Sequence, residues 1–297
     1  MIVTVTLNAA LDVTYQVGDV DWNGVNRVQT VHRRAGGKGI NVARVLAALG
    51  QEVLVTGLAG GPTGQAIEAD LDTAGLPHDL TPVAQDSRTT LVVSDSPRTA
   101  LFNEPGPHVT PDELDRFIRN FVAKAARAQA VVISGSLPRG VPSDFYGTLA
   151  AMSPAPVIID ADGEPLRNAP KGKPALIKPN AEELSRAVPD GTPEEGAQAL
   201  RHEGAGAVVV SMGADGLLAV TADGVFRARM PYTVEGNPTG AGDSLVAGLA
   251  LGLVEGTAWP ETLRRAAALG AAAVAAPVAG DFDRALYAEI HPHIVIV

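Results

Sequence analysis

Asn237-Pro-Thr-Gly-Ala-Gly-Asp-Ser244 runs straight into Leu245-Val-Ala-Gly-Leu-Ala-Leu-Gly-Leu253, so a glycine-rich polar turn opens a helix that is apolar throughout. Such a helix is buried, which puts its first turn inside the protein. Gly240, Ala241 and Gly242 leave main-chain N–H groups uncovered there, and the helix dipole adds positive potential, a combination that suits an anion. Asp243 in the same turn can take a proton from a neighbouring group. The same residues also read as an ordinary helix start capped by Asp243.

Outward from this helix, short β-branched runs alternate with helical segments. The runs are 2–7, 53–58, 131–134, 157–160, 175–178 and 207–212. The helical patterns are 40–49, 64–74, 111–128, 143–151, 193–203, 245–253 and 259–276. This alternation predicts an α/β fold whose mostly parallel sheet is covered by helices on both faces. Two stretches break the rhythm, 14–17 with 27–31 and 89–95 with 99–103, and read as β-hairpin-like excursions forming a lid over the sheet's carboxyl edge. The first run ends on Asn8-Ala-Ala-Leu-Asp12, polar residues at a strand end of the kind where open α/β sheets bind ligands. No linker or fixed-period repeat divides the chain, so 1–297 reads as one unit.

Composition narrows the function. Hydrophobic residues make up 46% of 297, ample for a large core, while aromatics at 4% imply close packing of small aliphatic side chains. There is no cysteine, hence no thiol chemistry or disulfide. The net charge of −10 argues against nucleic acid and anionic membrane surfaces as partners. No run resembles a membrane span and the start lacks a leader pattern, so a cytoplasmic location is expected. An anionic substrate would need a locally basic site to overcome the overall field.

Other clusters carry candidate chemistry. Ala35-Gly-Gly-Lys-Gly-Ile-Asn41 opens a second apolar helix, where Gly37 allows close approach and Asn41 can bond a hydroxyl. Lys38 either meets an anionic substituent or is a solvated turn lysine. Asn180 and Glu183, in Lys178-Pro-Asn-Ala-Glu-Glu183, hold a hydrated Mg²⁺ through water or form a capping box, and the two are compatible. Ser211-Met-Gly-Ala-Asp-Gly216 joins two strands, and Ser211, Gly213 and Gly216 either cradle phosphates or make a simple hairpin turn. Asp160 and Asp162 read as turn and cap residues, and His291 and His293 as surface residues. Neither a Walker A nor a dinucleotide fingerprint is present, which disfavours a dehydrogenase.

The set resembles the PfkB (ribokinase-like) carbohydrate kinases, and within them the 1-phosphofructokinase and tagatose-6-phosphate kinase group. The marks run the length of the chain: Thr6-Leu-Asn-Ala-Ala-Leu-Asp12, Gly36-Gly-Lys-Gly-Ile-Asn-Val-Ala43, Phe102-Asn-Glu-Pro-Gly-Pro107, Ser134-Gly-Ser-Leu-Pro138, Lys178-Pro-Asn-Ala-Glu-Glu183 and Pro238-Thr-Gly-Ala-Gly-Asp243. The resemblance implies a three-layer α/β/α ribokinase-like domain with a small β lid at about 12–32 and 88–104. It implies ATP as donor, Mg²⁺ as cofactor and a homodimer through the lids. Asp243 matches the catalytic base, Gly240, Ala241 and Gly242 the anion hole, Asn180 and Glu183 the metal and phosphate motif, and Ser211, Gly213 and Gly216 the nucleotide loop. Asp12, Gly37 and Asn41 match positions that hold sugar hydroxyls, and Arg88 one that contacts a substrate phosphate. Gly280 and Asp281 fall near a monovalent-cation site of the family.

Lys38, Arg88 and Arg27 are cations at the acceptor end, each able to make charge-assisted bonds worth roughly 1.5–3 kcal/mol. A phosphorylated sugar is therefore the expected substrate, with fructose 1-phosphate first. Fructose 6-phosphate, tagatose 6-phosphate and a free hexose are the alternatives, and a non-catalytic sugar or nucleotide sensor is the rival from another class. Two features depart from the pattern. Residues 94–98 leave a short turn in the second lid segment, and the Ala-rich stretch 264–276 offers no base-specific residue for adenine.

Overall fold

A computed structural model describes residues 1–95 and 99–297; the short turn expected at 94–98 lies partly outside them. Ten strands form the large sheet: β1 (Ile2–Thr6), β4 (Val53–Gly60), β5 (His78–Val83), β8 (Ala130–Ser134), β9 (Val157–Asp160), β10 (Leu176–Ile177), β11 (Ala207–Ser211), β12 (Leu217–Val220), β13 (Val225–Arg229) and β14 (Val295–Ile296). Their order is β14-β13-β12-β11-β10-β9-β8-β1-β4-β5. The seven strands from β11 to β5 are parallel, and β12, β13 and β14 continue the edge antiparallel. Strand order reverses between β1 and β8, the crevice where ligands of open α/β sheets bind.

Ten α-helices are found among the described residues. On one face lie α1 (Lys38–Ala48), α2 (Gly61–Thr73), α8 (Ala241–Glu255), α9 (Trp259–Val274) and α10 (Arg284–Ile290). The other face carries α3 (Pro111–Ala125), α4 (Phe145–Met152), α5 (Gly163–Asn168), α6 (Ala181–Ala187) and α7 (Pro193–His202). Strand residues divide between the two cores with period two. On β8, Val131 and Ile133 face one core and Val132 the other, and β9 repeats this with Val157, Ile159 and Ile158. Each such burial is worth ~1.5–3 kcal/mol, which lets the fold hold ionised groups in its crevice. The result is the three-layer, ribokinase-like α/β architecture, and no helix among the described residues is long and apolar enough to cross a membrane.

Both expected hairpins form, and the structure extends and joins them in one small sheet. Its strands are β2 (Ala10–Gln16), β3 (Thr30–Gly36), β6 (Arg88–Ser94) and β7 (Thr99–Asn103), in the order β3-β2-β6-β7. The hairpins, β2 with β3 and β6 with β7, are joined by parallel pairing of β2 with β6, in which Asp12 lies opposite Thr90. The strand expected at 27–31 begins at Thr30 and runs on to Gly36, in register with Ala10. Gly36 is its last residue, and the position takes glycine because a Cβ there would collide with the Asp12 carboxylate. The C-terminal tail is also more than a tail, since β14 pairs with β13 at the sheet edge.

Candidate active site

Asp243 sits in the first turn of α8 and is buried. Its Oδ2 accepts a hydrogen bond from Asn41 Nδ2 at 2.8 Å, which ties the two glycine-opened helices together. Burial, seconded by the charge of Asp160, raises its pKa to about 7, against the opposing pull of Lys38 and the Asn41 bond. Gly240 caps the helix at φ 88°, and a Cβ there would lie 2.8 Å from Ala279 Cα, so backbone freedom and close approach both demand glycine. The Ala241 amide donates to the Pro238 carbonyl at 3.1 Å, which leaves the amides of Gly240, Gly242 and Asp243 as donors for an anion at this turn.

Beneath that turn lies a hub that sequence reading mistook for a turn residue. Asp160, at the end of β9, is fully buried. Lys38 Nζ stands 3.4 Å and Lys178 Nζ 3.3 Å from its carboxylate, and Ser134 Oγ donates to it at 3.1 Å. Burial opposes its charge, but the two ammonium groups and the hydroxyl hold its pKa below the usual carboxylate range. Lys38 is raised in turn, chiefly by Asp160. A Cβ on Gly242 would lie 3.5 Å from Lys178 Nζ, so this ammonium borders the anion turn. Lys178 was quoted in its motif without a role; its burial next to a strand-end Asp is visible only in the fold. Asp162, by contrast, does cap α5, accepting from Gly163 N at 2.6 Å.

Asn180 and Glu183 form the capping box. Asn180 Oδ1 accepts from Glu183 N at 2.7 Å and Glu183 Oε2 from Asn180 N at 2.8 Å. Glu183 Oε1 points to the Lys38 side, 3.8 Å from Nζ. With one carboxylate oxygen to offer, and no group of three or more His, Cys, Asp or Glu able to hold a metal among the described residues, these two fit a Mg²⁺ that keeps its waters rather than one stripped into a protein cage.

One cavity beside this centre, about 600 Å³, is lined by Lys38, Ser136, Asp162 and Glu183, and two others gather the remaining candidate residues. The smaller, about 210 Å³, is lined by Thr6, Asn8, Gly37, Lys38, Arg88, Asn103, Gly135 and Ser136. Arg88 Nε donates to Asn8 O at 3.1 Å and Nη1 to Glu104 O at 3.4 Å, which fixes the guanidinium at the cavity wall with donors to spare. Asp12 is raised to about 6 by burial, opposed by the Thr90 hydroxyl and Arg88. Arg27 is not brought to this cavity; it lies exposed on the connection between β2 and β3. Asn8, whose Nδ2 donates to Ser136 Oγ at 3.0 Å, and Asn103 lie in segments that the sequence marks out but carry no individual role there, although polar residues at strand ends are the signal that finds them. The larger cleft, about 520 Å³, runs from Ser211, Gly213 and Gly216 past Gly242 to an apolar wall of Met230, Val234, Leu245, Ala267, Ala271 and Val274. Its loop is also the β11–β12 hairpin turn, and Ser211 N donates to Pro179 O, which joins it to the Asn180–Glu183 segment.

The sequence profile of the pfkB family carbohydrate kinases matches residues 6–283, nearly the whole chain. The chain belongs to the pfkB carbohydrate kinase family. It is a phosphotransferase with a sugar hydroxyl as acceptor, and the kinases of this family use ATP, usually with Mg²⁺. Phosphofructokinase-2 from Escherichia coli, solved with potassium, is 30% identical over 98% of each chain with a TM-score of 0.92. The same enzyme has been solved with fructose 6-phosphate and as a tetrameric inhibited form. A Thermotoga maritima protein named a possible 1-phosphofructokinase is 24% identical over 100% of this chain and 98% of its own, with a TM-score of 0.87. Arabidopsis thaliana ribokinase, at 22% identity, 98% coverage of each chain and a TM-score of 0.74, shares the fold. In this pfkB chain the apolar wall of the larger cleft is made by small side chains of α9 together with residues 230–236, a stretch without periodicity that sequence patterns could not flag.

Proposed function

We propose that this pfkB kinase transfers the terminal phosphoryl group of ATP to a ketohexose phosphate, with fructose 1-phosphate giving fructose 1,6-bisphosphate as the first choice. The observation that carries the reading is the small cavity, whose wall holds both Arg88 and Lys38 in a chain of net charge −10. Two cations concentrated there favour an acceptor that already bears a phosphate. The larger cleft, glycine-looped at one end and apolar at the other, suits ATP.

Asp243 accepts the acceptor hydroxyl's proton as the new O–P bond forms and the bond to the donor's bridging oxygen breaks. The amides of Gly240, Gly242 and Asp243, with Lys178 beside them, stabilise the charge on the transferring group's oxygens. Asp12 and Asn41 orient the sugar hydroxyls. Lys38, which borders the small cavity and faces Glu183, spans the acceptor and donor sides. Mg²⁺, held through water near Asn180 and Glu183, would neutralise donor phosphates. The small sheet acts as a lid that excludes competing water. A monovalent cation near Gly280 and Asp281 follows from the family resemblance, and the E. coli neighbour was solved with potassium.

A second reading, fructose 6-phosphate, is favoured by the E. coli enzyme's complex with that sugar. A furanose ketohexose carries a hydroxymethyl group at each end, so the same cations serve either regiochemistry. ADP release measured over fructose 1-phosphate, fructose 6-phosphate, tagatose 6-phosphate and the free hexoses decides between them. The highest kcat/KM is expected for fructose 1-phosphate, and equal efficiency on free fructose would refute the sugar-phosphate reading.

A further inference from the structure

The inner end of β3 is anchored on two sides. Ala35 N donates to Asp70 Oδ2 at 2.8 Å, and Arg44 of α1 grips the same carboxylate at 2.5 Å. The preceding residue, Arg34, reaches the segment between α9 and α10. Its Nη2 lies 2.7 Å from Asp281 Oδ1 and its Nη1 3.3 Å from Oδ2, a two-pronged pair across 247 positions of sequence. Arg34 stands opposite Asp12 in the β2–β3 register, so the contact begins beside the acceptor.

It ends behind the donor turn. A Cβ on Gly240 would lie 2.8 Å from Ala279 Cα and 3.2 Å from Gly280 N. A Cβ on Gly280 would lie 3.2 Å from Asn41 Cα and Oδ1 and 3.1 Å from Arg44 Cδ. Residues 279–281 are thus wedged between the anion turn, the Asn41 that bonds Asp243, and the strand bearing Arg34. The wedge has no helix or strand of its own, and Asp281 N makes a long bond of 3.3 Å to Val278 O, so side-chain contacts decide where it sits.

We propose that Arg34 and Asp281 are positioning residues that couple the acceptor half of the site to the donor half. As the sugar phosphate, held by Asp12, draws the small sheet inward, Arg34 carries Asp281 with it, and Ala279–Gly280 is pressed against Gly240 in the shape that receives the phosphoryl group. Neither side chain touches the reacting atoms. This rests on the kinase reading above. Linkage makes the coupling reciprocal: the sugar phosphate tightens the nucleotide, and the nucleotide tightens the sugar phosphate, by one common factor.

The test is calorimetric titration of a non-hydrolysable ATP analogue with Mg²⁺, with and without saturating sugar phosphate, using fructose 1-phosphate and fructose 6-phosphate in parallel. The proteins are wild type, Arg34→Ala, Asp281→Ala and the double variant. Arg265→Ala is the control, since it removes a comparably exposed pair (19% and 43%, against 27% and 45%) whose Nη1–Glu255 distance is 2.6 Å. A coupling on the order of 10-fold is expected in wild type and control, falling below about twofold in both singles with no further loss in the double. Arg34→Gln and Asp281→Asn, which remove the charges but keep a polar side chain, give the same readings should an alanine variant fail to fold. Wild-type coupling in either single, or losses that add in the double, overturns the proposal. A wild type that turns over neither sugar phosphate refutes the kinase reading and this inference with it, and is distinguished by the wild-type assay alone.

Discussion

Arg88 and Asp243 divide the work of binding and chemistry, and their variants should separate accordingly. Arg88→Ala is expected to raise KM for the sugar phosphate by roughly 10–100-fold, the loss of one charge-assisted contact at ~1.5–3 kcal/mol, with little change for free fructose. An equal effect on both sugars in steady-state kinetics contradicts the phosphate assignment. Asp243, with its pKa near 7, must be ionised to act as base, so kcat/KM should fall about tenfold per pH unit below 7. A profile flat from pH 5 to 8 contradicts this. The stability sign follows from the same shift. The folded protein keeps the Asp243 proton between about 4 and 7, where the unfolded chain has released it, so this group's stabilisation is present below pH 4 and lost as pH rises through 7. Asp243→Asn should accordingly raise Tm more at pH 8 than at pH 5, as differential scanning calorimetry would report. Asp243 was legible in the sequence because a buried glycine turn admits few residue types. Asp160 was not, since an Asp after a strand has the same local pattern whether it ends a turn or holds two buried lysines.

At the scale of elements, both glycine-opened helices were legible, and so was the β-branched rhythm of the parallel strands, because backbone geometry and burial leave periodic marks. What pairs with what across long separations leaves none. The parallel pairing of β2 with β6 joins segments 78 positions apart, Ala10 against Arg88, and turns two expected hairpins into one sheet. The apolar wall at 230–236 and the edge strand β14 were missed for the same reason, as irregular or very short segments whose partners lie elsewhere. The α8 start is where local and distant constraints meet. Gly240→Ala meets a positive φ and the Ala279 backbone together, and should cost ~1–3 kcal/mol of stability as well as lowering kcat. A denaturant midpoint and kcat both like wild type would contradict the close packing of this turn.

For the whole molecule, the small sheet and the connection between β2 and β3 leave several large apolar side chains open to solvent. Trp22 is 74% and Val25 82% exposed, with Leu101 and Phe102 also open to solvent. Such side chains suit the lid-to-lid homodimer that the family resemblance implies, which we propose for this chain. Leu101→Asp with Phe102→Asp is expected to shift the mass found by light scattering from dimer to monomer, and an unchanged mass contradicts a lid interface. Fold, crevice and carbohydrate-kinase family are consistent with one another; the acceptor is the part that neither strand patterns nor glycine motifs specify, because it is chosen by a few side chains from four different strand ends. The account as a whole turns on phosphoryl transfer to a sugar phosphate with Asp243 as base. Its most direct test is ADP release with fructose 1-phosphate under saturating ATP and Mg²⁺, wild type against Asp243→Asn. The expected result is a kcat lower by ~10²–10⁴-fold with KM nearly unchanged, whereas a variant that turns over like wild type would contradict it.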